Sequence, residues 1–292
     1  MTDGAIDLIL LGKPRDIGGF DVRRLLPQAK RRAVGPFVFL DHMGPTVIPA
    51  GSGMDVKPHP HIGLATVTYL YEGAILHRDS VGSVQEISPG DVNLMTAGCG
   101  ITHSERSSDA ARATDQAVNG LQMWVALPAE DEEMAPAFSH TPKALLPLVS
   151  GAGWRGRVVV GELFGETSPV VTRNRLFFGD LQLQAGAELA FTPAYDEAAV
   201  YVVSGSVKID GERVEEGSLA ILKDREGGLI TASGNTVIAV LGGDSLPEPR
   251  HMYWNFVSTR KQRLEQAKDD WQQQAFDKVP GDSEFTLLPE HP

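Results

Sequence analysis

Short β-prone runs, each bounded by Gly, Pro or Asp, recur along this sequence at near-regular spacing. Many short strands at such spacing pair as antiparallel sandwiches or small barrels, and they do not fit alternating βαβ units. Tight turns are also favoured by the composition, with 31 Gly and 19 Pro in 292 residues. We therefore predict an all-β fold. The runs are 38–40, 65–70, 74–77, 92–95, 121–127, 158–160, 176–183, 198–203, 207–214, 219–222 and 237–241.

The runs form two series that resemble a degenerate internal repeat. Residues 69–73, Tyr-Leu-Tyr-Glu-Gly, are echoed by Tyr-Val-Val-Ser-Gly at 201–205. In the second series, Asp210-Gly211 separates two alternating runs, which predicts a two-residue hairpin. The repeat predicts two similar domains. The predicted boundaries are 1–130 for the first domain, 131–150 for a linker, 151–250 for the second domain and 251–292 for a C-terminal helix and tail.

The C-terminal segment differs from the rest because its apolar residues follow a helical period. Leu264, Ala267, Trp271 and Ala275 fall on one stripe, which we expect to pack on the barrels. The spacing Thr259-x-x-Gln262 predicts a capping box, and Glu265 is spaced to pair with Lys268. A helix that binds a partner protein is the alternative interpretation of the stripe.

Charge and cysteine content exclude several classes of protein. The net charge of −12 argues against general nucleic-acid binding, which needs a concentrated positive face. The single Cys99 excludes a disulfide framework and a cysteine-rich zinc module. We expect no signal peptide, and the uncharged stretch 227–243 is too polar for a predicted membrane span. We expect a soluble, cytoplasmic protein with no membrane partner.

Four of the residues that can bind a metal stand in two pairs with the same spacing: His59-x-His61 and His103-x-Glu105. Side chains at i and i+2 of a strand share a face, so pairing the two strands can bring three imidazoles and one carboxylate together. Such a set suits Fe, Mn, Co, Ni, Cu or Zn. One His-x-His alone is more often an isolated surface or core feature, but two such pairs favour a metal site.

These residues belong to runs that resemble the pirin family over nearly the whole chain. The runs are 37–45, 57–63 (Lys-Pro-His-Pro-His-Ile-Gly), 66–70, 77–80, 89–92, 95–105 (Met-Thr-Ala-Gly-Cys-Gly-Ile-Thr-His-Ser-Glu), 120–128 and, less distinctively, 254–257. The resemblance implies a bicupin, which consists of two stacked antiparallel β-barrels of jelly-roll type, here with a C-terminal α-helix. It also implies one metal, generally iron, in the N-terminal barrel.

Carried over by position, the resemblance implies His59, His61, His103 and Glu105 as metal ligands. It implies two possible activities: opening of the flavonol quercetin with dioxygen, and transcriptional co-regulation. In the second repeat, Phe191 and Pro193 stand where His59 and His61 stand in the first, and that repeat contains no histidine. We expect the second barrel to be free of metal.

The leading hypothesis is a monomeric, metal-dependent dioxygenase whose substrates are a flavonol-like small molecule and dioxygen. Glu105 would be a ligand, or would accept the proton of the substrate hydroxyl as a general base. Two other hypotheses stay open: a metal- or redox-sensing regulatory protein, and a cupin isomerase that does not use dioxygen. The sequence does not decide whether His77 orients a ligand or is an ordinary strand residue, or whether Cys99 is a sensor.

Overall fold

The computed structural model describes residues 4–17, 21–223, 225 and 227–290. Strands dominate this part of the chain, as the sequence predicts. In the first half they are β1 (Ile6–Leu11), β2 (Lys13–Asp16), β3 (Asp21–Leu26), β4 (Phe37–Ile48), β5 (Asp55–His61), β6 (Leu64–Glu72), β7 (Ile75–Asp79), β8 (Val84–Ile87), β9 (Val92–Thr96), β10 (Ile101–Arg106), β11 (Gln116–Ala126) and β12 (Ala137–Thr141).

The second half continues the same pattern and ends in a helix. Its strands are β13 (Leu148–Gly151), β14 (Trp154–Leu163), β15 (Glu166–Thr167), β16 (Leu176–Leu183), β17 (Glu188–Phe191), β18 (Glu197–Ser204), β19 (Ser206–Ile209), β20 (Glu212–Glu215), β21 (Ser218–Leu222), β22 (Gly228–Ala232), β23 (Thr236–Gly243), β24 (His251–Tyr253) and β25 (Phe256–Ser258). The helices of the described residues are α1 (Asp109–Arg112), α2 (Lys261–Gln272) and two 3-10 turns, Ala129–Asp131 and Lys143–Leu145.

The chain divides into two compact units, and each unit is built from several stretches of sequence. Unit 1 comprises Met1–Lys13, Arg23–Leu40 and Ala144–Leu246. Unit 2 comprises Pro14–Val22, Asp41–Lys143 and Pro247–Pro292.

Unit 1 contains a large sheet and a small sheet that share one apolar core. The large sheet has the order β1-β21-β18-β23-β16-β14-β13, with β15 on β14, and the small one β17-β22-β19-β20. The core contains Leu181 and Val200 from the large sheet and Leu189 and Ile230 from the small sheet. This two-layer packing is the architecture that alternating apolar strands favour.

Unit 2 repeats the arrangement. It contains most of a second large sheet, with the order β12-β9-β6-β11-β4-β3-β2, and a small sheet with the order β5-β10-β7-β8. A buried cluster contains Leu70 and Val118 from the large sheet and Ile75 and Ile87 from the small sheet. The small sheet carries the histidine pairs.

β1 belongs to unit 1, whereas most of the predicted domain 1–130 belongs to unit 2. β1 pairs antiparallel with β21, with Ile9 opposite Ala220 and Leu11 opposite Ser218. Ile6 of β1 is buried in the core of unit 1. The apolar face of β1 is therefore covered by strands that follow it in sequence by about two hundred residues, a pairing that local patterns do not specify.

The segment 131–150, which we predicted as a linker, contains ordered strands. β12 pairs with β9 in unit 2, with Phe138 opposite Met95. β13 pairs with β14 in unit 1, with Val149 opposite Gly156. Pro136, Pro142 and Pro147 flank these two strands, so they remove no N–H from the strand pairing.

Two local predictions are confirmed. Asp210 and Gly211 have positive φ, at 47° and 87°, and they join β19 to β20. In α2, Leu264, Ala267 and Trp271 are buried against a cluster that includes Ile62 and Phe256, all within unit 2.

The ends of α2 differ from the prediction. Ala275 is exposed and follows the end of the helix. The helix begins at Lys261, and Arg260 at its N-cap position makes no side-chain capping hydrogen bond, so the predicted capping box is wrong. Glu265 and Lys268 do pair, at 2.6 Å. No helix in the described residues has the length and apolar character needed to cross a membrane.

A tertiary contact replaces the capping box. The side-chain hydroxyl of Thr259 and its backbone N–H donate to the buried carboxylate of Glu132, at 3.1 and 2.8 Å. The hydroxyl of Ser258 donates to Glu132 at 2.9 Å, and the guanidinium of Arg250 lies 3.2 Å from it. Glu132 therefore holds the segment that precedes α2.

We predict that Glu132→Ala destabilises unit 2 by about 3–5 kcal/mol, because it leaves the buried Arg250 guanidinium without its carboxylate partner. The matched control is Glu133→Ala, whose carboxylate is partly exposed and pairs with the exposed Arg260 and with Arg263. It should cost less than about 1 kcal/mol. Urea denaturation followed by tryptophan fluorescence measures both values, and equal losses would contradict this role of Glu132.

Candidate metal centre

The two histidine pairs come together because β5 and β10 are neighbours in the small sheet of unit 2. His103 lies directly opposite His59, and Ile101 lies opposite His61. Since side chains alternate along a strand, His59, His61 and His103 project from the same face. A β-bulge between His103 and Glu105 shifts the register at the end of this pairing. All four side chains are buried.

Three imidazoles meet at one point. One ring nitrogen from each of His59, His61 and His103 lies within 4.8 Å of the others. The Nε2 atoms of His61 and His103 are 3.1 Å apart. The indole of Trp124, on β11, contacts His61 edge to face with a centroid distance of 5.1 Å.

The imidazoles are held in their neutral form. Burial lowers the pKa of His59 to about 4, against a smaller opposing effect of its hydrogen bond to the Lys57 carbonyl. Burial also lowers the pKa of His61 and of His103 well below the ordinary value, and charge repulsion from His59 acts in the same direction. Only neutral imidazole can donate a nitrogen lone pair to a metal.

The donor set fits a transition metal. His59 Nδ1 donates to the Lys57 carbonyl at 2.8 Å, which leaves its Nε2 lone pair free to ligate. Two nitrogens bound at about 2.0–2.1 Å to one metal and at right angles to each other are about 3 Å apart. This is the separation of His61 Nε2 and His103 Nε2. The described residues of this site can therefore hold one first-row divalent ion.

The fourth predicted ligand, Glu105, is not in the group of three. Its two carboxylate oxygens accept hydrogen bonds from Gln122 Nε2 at 3.0 and 3.2 Å. The hydroxyl of Thr68 in turn donates to Gln122 Oε1 at 2.6 Å. Burial raises the pKa of Glu105, and the hydrogen bonds from Gln122 oppose this shift. Gln122 thus holds the carboxylate.

Two further buried residues adjoin the site. In β7, His77 lies opposite Glu105 and Asp79 lies opposite His103. From the sequence, the role of His77 was open and Asp79 had none, although the two have the same i, i+2 spacing as the ligand pairs. The phenyl ring of Phe138 stacks on His77 with a centroid distance of 4.5 Å. Cys99 is exposed.

In unit 1, the residue equivalent to His59 belongs to the apolar core. Phe191 is buried with Phe177, at a ring-centroid distance of 6.0 Å, and with the other apolar residues of that core. A phenyl side chain offers no lone pair for a metal, so this position of the repeat serves packing.

Comparisons with known proteins agree with this geometry. The family model described as Pirin matches residues 19–125, and the model described as Pirin C-terminal cupin domain matches residues 178–277. A "Pirin-like protein" from Caulobacter vibrioides is 44% identical over 290 residues, which cover 98% of this chain and 100% of that protein.

Solved structures show the same fold. A crystal structure of quercetin 2,3-dioxygenase from Acinetobacter baumannii has a TM-score of 0.89 and 33% identity, and the match covers 98% of this chain and 96% of that one. A bacterial pirin from Escherichia coli in complex with nickel(II) has a TM-score of 0.64 and 19% identity, over 82% and 100% of the two chains. The predicted all-β bicupin fold is confirmed, and the chain belongs to the pirin family.

Proposed function

We propose that this protein is a metal-dependent dioxygenase of the quercetin 2,3-dioxygenase type, which opens the ring of a flavonol-like substrate with dioxygen. The observation that carries the proposal is the cluster of three buried, neutral imidazoles beside a buried carboxylate with a raised pKa. The likeness to the Acinetobacter baumannii enzyme supports it.

In this proposal His59, His61 and His103 hold the metal through nitrogen, and Glu105 provides the carboxylate. Three nitrogens and one oxygen suit iron, which we propose as the ion, and also Mn, Co, Ni, Cu and Zn. A redox-capable divalent ion at this point would supply Lewis acidity and one-electron chemistry towards dioxygen.

Glu105 acts as the general base. Its raised pKa moves it closer to neutrality, where a carboxylate accepts a proton more readily than an ordinary glutamate does. It takes the proton of the flavonol 3-hydroxyl, and the resulting enolate reacts with dioxygen. The ring-opened ester contains both atoms of dioxygen, and the carbon that carried the 3-oxygen leaves with that oxygen as carbon monoxide.

Gln122 and Thr68 position the base. The Gln122 amide donates to both oxygens of Glu105, and Thr68 fixes the amide by donating to its oxygen. These contacts restrict the rotation of the carboxylate before substrate binds, which favours a reactive orientation. Trp124 packs against His61 and limits the water that reaches the ligands.

We predict that Glu105→Gln weakens metal binding by about 10- to 100-fold, because the amide lacks the anionic charge. Quercetin turnover at matched metal occupancy should fall by about 10²- to 10⁴-fold, because the general base is lost. The assay measures quercetin consumption and carbon monoxide release by protein loaded with Fe, Mn, Co, Ni or Cu. The control is Glu86→Gln, an exposed carboxylate of β8 in the same unit, which should behave as the wild type.

Two outcomes of this assay would contradict the proposal in different ways. Equal turnover by the wild type and Glu105→Gln would exclude Glu105 as the base. No turnover by the wild type with any of the five metals would exclude the dioxygenase and leave the regulatory protein and the cupin isomerase as alternatives.

We also predict that the metal-free protein loses stability in acid. The unfolded chain titrates His59 near the ordinary value of 6.5, whereas the folded protein titrates it at about 4. Between these values the unfolded state binds more protons, so the free energy of unfolding falls as the pH decreases. At pH 5, His59 alone should contribute a loss of about 2 kcal/mol relative to pH 8.

Urea denaturation at the two pH values measures this loss. In His59→Gln the position no longer titrates, so the difference between pH 8 and pH 5 should become smaller. His251→Gln, a partly exposed histidine of β24, is the control and should keep the wild-type difference. The same difference in the wild type and in His59→Gln would contradict the buried, neutral state of His59.

A further inference from the structure

A line of hydrogen-bonded buried groups begins at His103 Nδ1, the ring nitrogen that does not face His61, and leads through His77 to Asp79. His103 Nδ1 lies 3.4 Å from His77 Nδ1, and His77 Nε2 lies 2.9 Å from Asp79 Oδ2. Asp79 Oδ1 accepts the backbone N–H groups of Val81 and Ser83 at 3.1 and 2.9 Å. Asp79 is fully buried, and His77 and His103 are nearly so.

The hydrogens in this line can be assigned from one end. Asp79 is acceptor-only as a carboxylate, and its pKa is lowered because hydrogen bonds from His77 and Ser83 outweigh the raising effect of burial. His77 Nε2 must therefore carry the hydrogen of the contact with Asp79. When the imidazole of His77 is neutral it has one N–H, so its Nδ1 is then an acceptor, and His103 Nδ1 donates to it.

The assignment determines which nitrogen of His103 is available to a metal. With its hydrogen on Nδ1, a neutral His103 has its lone pair on Nε2. Nε2 is the atom that faces His61 Nε2 at 3.1 Å. The opposite tautomer would direct an N–H into the group of three imidazoles and would oppose ligation.

We propose that Asp79 and His77 are positioning residues that select the tautomer and the ring orientation of His103 needed for metal binding. The inference rests on the proposed metal site, and it does not depend on the identity of the substrate or on turnover. Carboxylates and carbonyls commonly orient ligand histidines directly, and here a second imidazole stands between the carboxylate and the ligand.

The strand register supports this role. β7 lies beside β10, so that Asp79 is opposite His103 and His77 is opposite Glu105 on the same face of the sheet. Phe138 stacks on the His77 ring at an interplanar angle of 18° and restricts its rotation. Asp79 and His77 are thus both held in place, Asp79 by backbone N–H groups and His77 by an aromatic ring.

Asp79→Asn should reverse the direction of the hydrogen bonds in this line, because asparagine has nearly the same size as aspartate but can donate. The Val81 and Ser83 N–H groups still require an acceptor, so the amide oxygen of the new side chain turns to them and its NH2 faces His77. His77 must then accept on Nε2 and donate from Nδ1, which requires His103 Nδ1 to accept and places the His103 hydrogen on Nε2. We expect cobalt(II) affinity at pH 8 to fall by about 10- to 100-fold.

The double variant Asp79→Asn/His77→Leu separates selection of the tautomer from a merely structural role. Without His77 nothing imposes the wrong tautomer on His103, so the double variant should bind cobalt(II) more tightly than Asp79→Asn alone. If Asp79 and His77 were needed only for the stability of the site, the double variant should bind cobalt(II) more weakly than Asp79→Asn, because a second buried contact is lost.

Asp91→Asn is the matched control: Asp91 also accepts a backbone N–H, from Lys143, and lies 3.8 Å from a histidine, His140, outside the cluster. Its affinity should be unchanged.

The experiment measures cobalt(II) binding by titration together with the ¹⁵N shifts of the histidine ring nitrogens in the metal-free proteins. The wild type should have its hydrogen on Nε2 of His77 and on Nδ1 of His103, and Asp79→Asn should show both reversed. A wild-type His103 with its hydrogen on Nε2 would overturn the inference without any variant. Equal affinities of the wild type and Asp79→Asn would also overturn it, whereas a wild type that binds no cobalt(II) would reject the proposed metal site instead.

Discussion

The candidate site depends on burying three uncharged imidazoles on one face of a four-stranded sheet. The antiparallel pairing of β5 with β10 places His103 opposite His59, and strand alternation adds His61 to the same face. Burial then keeps all three rings neutral by lowering the pKa of each. The surrounding hydrogen-bond partners are needed because each neutral ring must direct its one N–H away from the point where the three nitrogens meet.

The sequence predicted the local parts of this arrangement well. Strand periodicity, the Asp210-Gly211 turn and the buried stripe of α2 are consequences of neighbouring residues, and the structure confirms them. The histidine pairs could be recognised because i, i+2 spacing on a strand is itself a geometric statement.

Long-range partners could not be predicted in the same way. β1 joins the sheet of unit 1, and Thr259 binds Glu132 instead of capping α2, because each choice depends on a residue distant in sequence. The same reason hid the hydrogen bonds from Gln122 to Glu105. His77 and Asp79 are only two residues apart, but their role depends on His103, which is distant in sequence. Buried polar groups require such partners, but the sequence alone does not name them.

The location of bound metal tests the central claim most directly. Crystals of protein purified without added metal, or loaded with one equivalent, would be measured by anomalous diffraction together with the metal content of the solution. The account predicts one metal per chain, with a single anomalous peak within bonding distance of nitrogens of His59, His61 and His103. A peak elsewhere, or two metals per chain, would contradict it.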